Sequence, residues 1–260
     1  MLRFRNLGSG STGNATVVEA HDGGRPGRLL VDCGLGPRTL ATRLGQGGLA
    51  IDDIDAIFVT HEHSDHIGSA CKIALRHRIP LWMSRGTYEA IGMPDLDGLL
   101  HLARDGEPIA LGALQLRPFT VPHDAREPLQ LRLSDGATCL GILTDLGHAT
   151  PHVLAQLAGC RAMLLECNHD PELLAGSPYP AFLKRRVGGA LGHLANPLAA
   201  GIAAVLASQG LQQVIAAHLS RQNNRPELAL AALASAQGCG TLALGVADPV
   251  TGTGADWIQV

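Results

Sequence analysis

Aromatic residues make up only 3% of the chain, so a core has to be filled by Leu, Ala, Val and Ile. No run approaches the roughly 20 apolar residues that a membrane-spanning helix needs. The N-terminus, Met1 to Asn6, turns polar and then glycine-rich without the apolar segment of a signal peptide. Cysteines Cys33, Cys71, Cys139, Cys160, Cys167 and Cys239 are scattered, with no C-x-x-C pair. That usage reads as reduced thiols and excludes a disulfide framework. An excess of positive charge is missing too. The net charge of −3 argues against a broad non-specific nucleic-acid surface while leaving room for a local basic patch. These absences predict a soluble, cytoplasmic protein that does not engage a membrane. Neither a solenoid-period repeat nor a linker is visible, so the 260 residues predict one domain, 1–260.

What is present centres on Val59-Thr60-His61-Glu62-His63-Ser64-Asp65-His66. An apolar strand, Asp55 to Thr60, leads into this H-x-H-x-D-H cluster, and a helical pattern over 67–77 leads out of it. Chemistry in α/β sheets collects on loops at strand ends. Imidazole nitrogen with carboxylate oxygen is the ligand mixture of zinc, iron or manganese.

The same ending recurs along the chain. Strand 28–31 runs into Asp32, strand 114–121 into His123, and strand 138–143 into Asp145. Strand 162–165 ends in Glu166 with His169 nearby, and strand 214–217 in His218. Strands 2–7 and 15–20 flank Gly8-Ser9-Gly10-Ser11-Thr12-Gly13-Asn14, which reads either as a backbone nest beside the metal or phosphate site or as a hairpin turn. Asp135-Gly136 marks a second hairpin. Residues 94–108 read as loop or short helix, and 171–187 as helical in parts. Residues 192–197 read as the cap of a helix through Leu206, 226–236 as a helix, and 242–244 and 257–260 as closing strands. Such serial endings predict one edge of a sheet sandwich converging on one site.

Ligand arithmetic agrees. Two metals of four to six coordination need about seven protein groups plus solvent. His61, His63 and His123 would form one set, Asp65, His66 and His218 the other, and Asp145 would bridge. His21, His77, His101, His148 and His152 lack such context and read as surface or structural.

Together, Asp32, the 61–66 cluster, His123, Asp145 and His218 resemble the metallo-β-lactamase superfamily over nearly the whole chain. The resemblance implies a four-layer αββα sandwich of the α/β (α+β) class with a two-metal site at one edge of its sheets. The glycine-rich 8–14 loop, Glu166-Cys-Asn-His-Asp170, Gly192-His193-Leu and Ala217-His218-Leu-Ser220 resemble its YycJ/WalJ-like branch, described as DNA exonucleases. The last two motifs are also similar to those of the tRNA 3′-processing endonuclease, RNase Z, whose long glycine- and proline-rich arm is absent here. By that match His193 is the proton donor and His218 the last metal ligand.

The expected chemistry is hydrolysis of a phosphodiester. Two divalent ions about 3.5–4 Å apart, zinc first and manganese or iron as alternatives, would hold a bridging water and lower its pKa toward about 7. His193 and Asp65 would act at the reacting centre, with Asp32, Glu166 and His169 orienting the ligands by hydrogen bonds. Lys184, Arg185, Arg186, Arg221 and Asn223 would contact the phosphate backbone, though the basic run also reads as a solvated helix end. DNA is the expected partner, with a homodimer as an open option. A small-molecule hydrolase (cyclic phosphodiesterase, lactonase or thioesterase) on the same fold is the competing enzyme reading. Metals of purely structural use would not need a spare acid.

Overall fold

The computed structural model describes residues 1–235 and 242–260. Cys239, and the end at Ala236 expected for the last helix, lie outside the described residues.

Strands β1 (Leu2–Gly8), β2 (Ala15–Ala20), β3 (Gly27–Val31), β4 (Ala56–Phe58), β5 (Leu81–Ser84) and β6 (Leu100–Ala103) come from the first part of the chain. Then follow β7 (Ile109–Leu111), β8 (Leu114–Thr120), β9 (Leu129–Ser134), β10 (Cys139–Leu143), β11 (Ala162–Glu166), β12 (Gln213–Ala217), β13 (Ala243–Val246) and β14 (Ile258–Gln259). Helices are α1 (Pro37–Gln46), α2 (Ser64–Ile67), α3 (Ala70–His77), α4 (Arg85–Ala90), α5 (Pro151–Leu157), α6 (Pro171–Gly176), α7 (Ala181–Val187), α8 (Asn196–Ala207) and α9 (Pro226–Ser235). The strands form two seven-stranded sheets, ordered β14-β1-β2-β3-β4-β5-β6 and β13-β12-β11-β10-β9-β8-β7.

Alternation along the strands sorts the core into layers. Val18, Leu29, Phe58, Leu140, Leu164 and Ile215 come from both sheets and pack together between them. Their neighbours Val17, Leu30 and Ile57 point the other way, onto α1 and α3 through Leu40, Leu44, Ile73 and Ala74. Met163, Leu165, Val214 and Ala216 do the same toward α5, α8 and α9. Strands apolar on both faces are what a sheet covered on both sides requires. The result is the αββα sandwich, in four layers.

Several local expectations are corrected. The helix anticipated over 67–77 is two helices, broken at Gly68 (φ 31°, ψ −102°). A Cβ at Gly68 would sit 2.6 Å from the Cys33 carbonyl oxygen, so glycine and a break are needed where the two loops touch. Within the stretch read as loop or short helix, 94–108, lies the edge strand β6, which is four residues long, largely exposed and without the apolar run of a strand covered on both faces. The three-residue β7 pairs antiparallel with β8 and was too short to read. Of the stretch 192–197 read as the cap of α8, Ala195 is the N-cap, without a side-chain hydrogen bond, Asn196-Pro197 open the helix, and 192–194 lie before it. Among the described residues no helix is long and apolar enough to cross a membrane.

Candidate metal centre

Strand direction gathers the polar endings. β3 and β4 are parallel, as are β10, β11 and β12. β8 is antiparallel to β9 and β9 to β10, so β8 runs with β10. The C-terminal ends of these strands share one edge of the sandwich. Asp32 (φ 60°), Asp145 (φ 57°) and His218 (φ 53°) each leave a strand through a left-handed residue. Side chains other than glycine rarely adopt that conformation, Asp and His less rarely than most. It bends the chain within one residue, and its concentration at one edge is the pattern of backbone strain held at functional sites.

Two ligand sets lie side by side. His61 Nε2 is 3.0 Å from His63 Nδ1, which is 3.2 Å from His123 Nε2. Beside them, His66 Nε2 lies 3.6 Å and His218 Nε2 3.5 Å from Asp65 Oδ2. Asp145 stands between the sets, with Oδ2 3.2 Å from His66 Nε2 and Oδ1 3.4 Å from His218 Nδ1. In each of the groups His61/His63/His123, Asp65/His66/His218 and His61/His66/Asp145 the ligand atoms lie within 4.8 Å of one another.

Hydrogen bonds behind the rings set which nitrogen faces the centre. His66 Nδ1 donates to Asp32 Oδ2 at 2.8 Å, and His123 Nδ1 to the Gly192 carbonyl at 3.1 Å, leaving each Nε2 turned inward. Asp32 also accepts from the Thr60 amide and hydroxyl, tying down the loop that carries His61. Glu166 is the hub on the other side. Its Oε1 lies 2.9 Å from Nδ1 of both His193 and His218, and its Oε2 accepts from the amides of Leu146 and Leu194. All of this carboxylate's acceptor capacity goes to protein donors, so it orients rather than ligates.

The electrostatics suit a cation. Burial alone would raise the Glu166 pKa, but His193 and His218 hold it down to about 2. Asp145 is held well below the usual range, its burial outweighed by His218 and His66. Burial would likewise raise Asp65, which the His218 hydrogen bond keeps at about 2. Burial disfavours a charge on His66 and His218, yet Asp145 chiefly raises both, His218 to about 10. His61 is pushed down by burial and by its imidazole neighbours, so it stays neutral. Within the ligand sets, Asp145 Oδ2 is buried and accepts no hydrogen bond among the described residues. An unpaired buried carboxylate oxygen is costly. A divalent cation between these converging lone pairs would satisfy it, and the N/O donor set fits one.

A cavity of about 330 Å³ opens over the centre, lined by Ser11, Asp65, Tyr179, Arg186, His193 and Asn223 among others. Of the residues expected to contact phosphate, Arg186 and Asn223 line it. Lys184, Arg185 and Arg221 do not: Lys184 Nζ is bonded to the Ala175 carbonyl, and Arg221 lines a neighbouring cavity. Arg186 pairs with Asp124 at 2.6 Å. His169 does not hydrogen-bond to His193. Its Nδ1 is buried without a partner among the described residues, and burial lowers its pKa.

Two side chains of the glycine-rich loop also take part, where the sequence pointed only to its backbone. Asn14 Nδ2 lies 3.2 Å from Asp65 Oδ2 and 3.0 Å from His66 Nε2, and Ser9 Oγ accepts from the His218 amide. The glycine-rich loop is thus both the β1–β2 hairpin and a wall of the site. Only its composition hinted at this. The remaining histidines stand apart: His77 pairs with Asp52, His152 with Asp105, and His101 stacks on Trp82.

Residues 8–157 match the family model described as the metallo-beta-lactamase superfamily. The chain belongs to that superfamily. Among its relatives, the exodeoxyribonuclease YycJ of Bacillus anthracis is 34% identical over 233 residues, covering 88% of this chain and 86% of the relative. The exodeoxyribonuclease WalJ of Streptococcus pneumoniae serotype 2 is 30% identical over 262 residues, covering 98% of this chain and 95% of the relative. In three dimensions the chain is similar to the metallo-beta-lactamase fold protein YhfI from Bacillus subtilis, with TM-score 0.76, 15% identity and both chains covered in full.

Proposed function

We propose that this protein is a dinuclear-metal-dependent phosphodiesterase that degrades DNA as an exonuclease. The observation that carries the reading is the pair of ligand sets meeting at Asp145, with His193 held beside them by Glu166. His61, His63 and His123 would hold one ion, Asp65, His66 and His218 the other, and Asp145 would reach both, with zinc or manganese as the expected metals. When bound, the ions supply an acidified water and neutralise charge on the phosphate. The protein groups do the rest. Arg186 and Asn223 line the cavity where a phosphate and its sugar would sit. His193 keeps its Nδ1 proton on Glu166, which leaves Nε2 to protonate the departing oxygen. Burial disfavours the His193 cation, but Glu166 outweighs it and raises the pKa, which suits an acid at neutral pH. Asp65 acts as ligand and as a carboxylate at the reacting centre.

The sequence relatives named as exodeoxyribonucleases, matched over most of their length, support DNA over a small ester. The same proposal takes residues 1–260 as one functional unit and places it in the cytoplasm, where Cys33, Cys139, Cys160 and Cys167 would remain reduced. A homodimer is part of it and is checked by sedimentation.

The test is metal analysis of the purified protein together with labelled single- and double-stranded DNA and RNA. Metal-dependent release of nucleotides from DNA ends is the expected result, and His61→Ala should lose both metal and cleavage. Hydrolysis of a thioester or lactone with no cleavage of any nucleic acid would overturn the reading.

A further inference from the structure

The cavity over the centre is small, at the lower end of small-ligand pockets, so a nucleic-acid strand must leave it. The basic residues expected to receive that strand, Lys184 and Arg185, do not line the cavity. A different place on the surface has the required charge. A groove of about 710 Å³ runs between α1 and α3, with Pro37, Ile51 and Ile73 in its lining and Arg38, Lys72 and Arg76 around it. Elsewhere many cations are already matched: Arg3, Arg25, Arg28, Arg78, Arg126 and Arg186 each sit against a carboxylate. The side chains of Arg38, Lys72 and Arg76 have no ion-pair or hydrogen-bond partner among the described residues. Lys72 and Arg76 are also like charges four residues apart on one helix, an arrangement that destabilises the helix by itself. No acidic residue stands in the first turn of α1, so the positive end of that helix adds to the same field.

The head of the groove lies on the chain segments that leave the site. The Cys33 amide donates to the His66 carbonyl, and the Ser69 amide to the Cys33 carbonyl. The loops carrying Asp32 and His66 are therefore joined, and α1 and α3 start from them a few residues later.

We propose that the α1–α3 groove binds the backbone of a single nucleic-acid strand beyond the scissile phosphate. Arg38, Lys72 and Arg76 take successive phosphates, and the apolar floor takes sugar and base faces. This rests on the nuclease reading and adds where the rest of the substrate lies.

The test uses the metal-loaded full chain, fluorescent oligo-dT, and the triple variant Arg38→Ala/Lys72→Ala/Arg76→Ala. A control removes the same charge elsewhere, Arg25→Ala/Arg104→Ala/Arg117→Ala. Circular dichroism and melting establish that both fold. The groove variant should raise KM for the oligonucleotide about tenfold or more with kcat changed far less, and reduce the slope of log binding constant against log salt by about 2. The control should do neither. Cleavage with unaltered KM and slope in the groove variant overturns the groove and leaves the nuclease reading standing. Groove-dependent binding without cleavage overturns the nuclease reading and supports the groove as a strand-binding surface. Wild-type protein that neither binds nor cleaves the oligonucleotide, or from which poly-glutamate displaces it as well as DNA does, overturns the groove assignment.

Discussion

His193 and His218 hang from one atom: Glu166 Oε1 lies 2.9 Å from Nδ1 of each ring. The other oxygen, Oε2, accepts from the amides of Leu146 and Leu194. A group that only accepts is needed on both sides. In Glu166→Gln the amide NH2 must face either two backbone N–H groups or two imidazole N–H groups. We expect kcat to fall by about 10–100-fold and stability by about 1–3 kcal/mol from the unsatisfied donors. Turnover and chemical denaturation, measured on the same preparation, check both.

His193 and His61 should separate by metal content. His193 bonds behind the ring to Glu166, and its outward nitrogen has no partner among the described residues. His193→Gln should keep its metal and lose turnover by about 10²–10⁴-fold. Elemental analysis beside kinetics decides it: loss of metal in this variant would make His193 a ligand.

Gly34 has no room for a side chain. A Cβ there would stand 1.8 Å from the Asp65 carbonyl oxygen and 2.8 Å from the Asn14 amide nitrogen. Both contacts are backbone, so the loop carrying Asp65 and His66 has to move. Gly34→Ala should cost about 1–3 kcal/mol by overpacking and weaken metal binding. Thermal melting and a competitive chelator titration measure the two effects.

Metal removal should itself destabilise the fold, because Asp145 Oδ2 and the facing imidazoles lose their partner. Ions present at about 1,000 times their dissociation constant contribute about 4 kcal/mol. Melting before and after dialysis against a chelator, with zinc or manganese added back, reads this directly. An unchanged Tm would mean that no metal is held there.

The β9–β10 turn supplies a pH test far from the centre. Asp135 accepts from the amides of Ala137 and Thr138 and pairs with the N-terminal ammonium at 2.9 Å. Burial opposes its ionisation, but these donors lower its pKa from 3.8 to about 2. A carboxylate depressed by folding contributes stability above its unfolded pKa and loses it as pH falls through the folded one. Asp135→Asn should therefore melt lower than wild type at pH 7, by about 2 °C for a partly exposed pair. The gap should close between pH 4 and pH 2, measured as the difference between the two proteins.

Much of this centre was legible along the chain because its ligands sit at the ends of apolar runs. A short continuous apolar run locates a strand covered on both faces, and the next polar residue then falls at the sheet edge by geometry alone. Asp32, His123, Asp145, Glu166 and His218 could be found that way, and His61 to His66 by density. The edge strand β6 could not, because its four largely exposed residues, broken by His101, make no apolar run to read. Nor could the break at Gly68, which answers to a carbonyl on a loop distant in sequence.

The sequence by itself determined which residue types stand at the strand ends, and so that the protein is built to hold metal in an αββα sandwich. Only the tertiary structure decided which nitrogen of each ring faces the centre, which carboxylate orients and which is left with a bare oxygen, and that Lys184 and Arg185 lie off the cavity while Arg38, Lys72 and Arg76 line a groove beside it. The physical reason is that strand endings follow from local apolar runs, whereas ring orientation, buried charge and surface potential depend on groups that meet only when the two sheets and their helices pack.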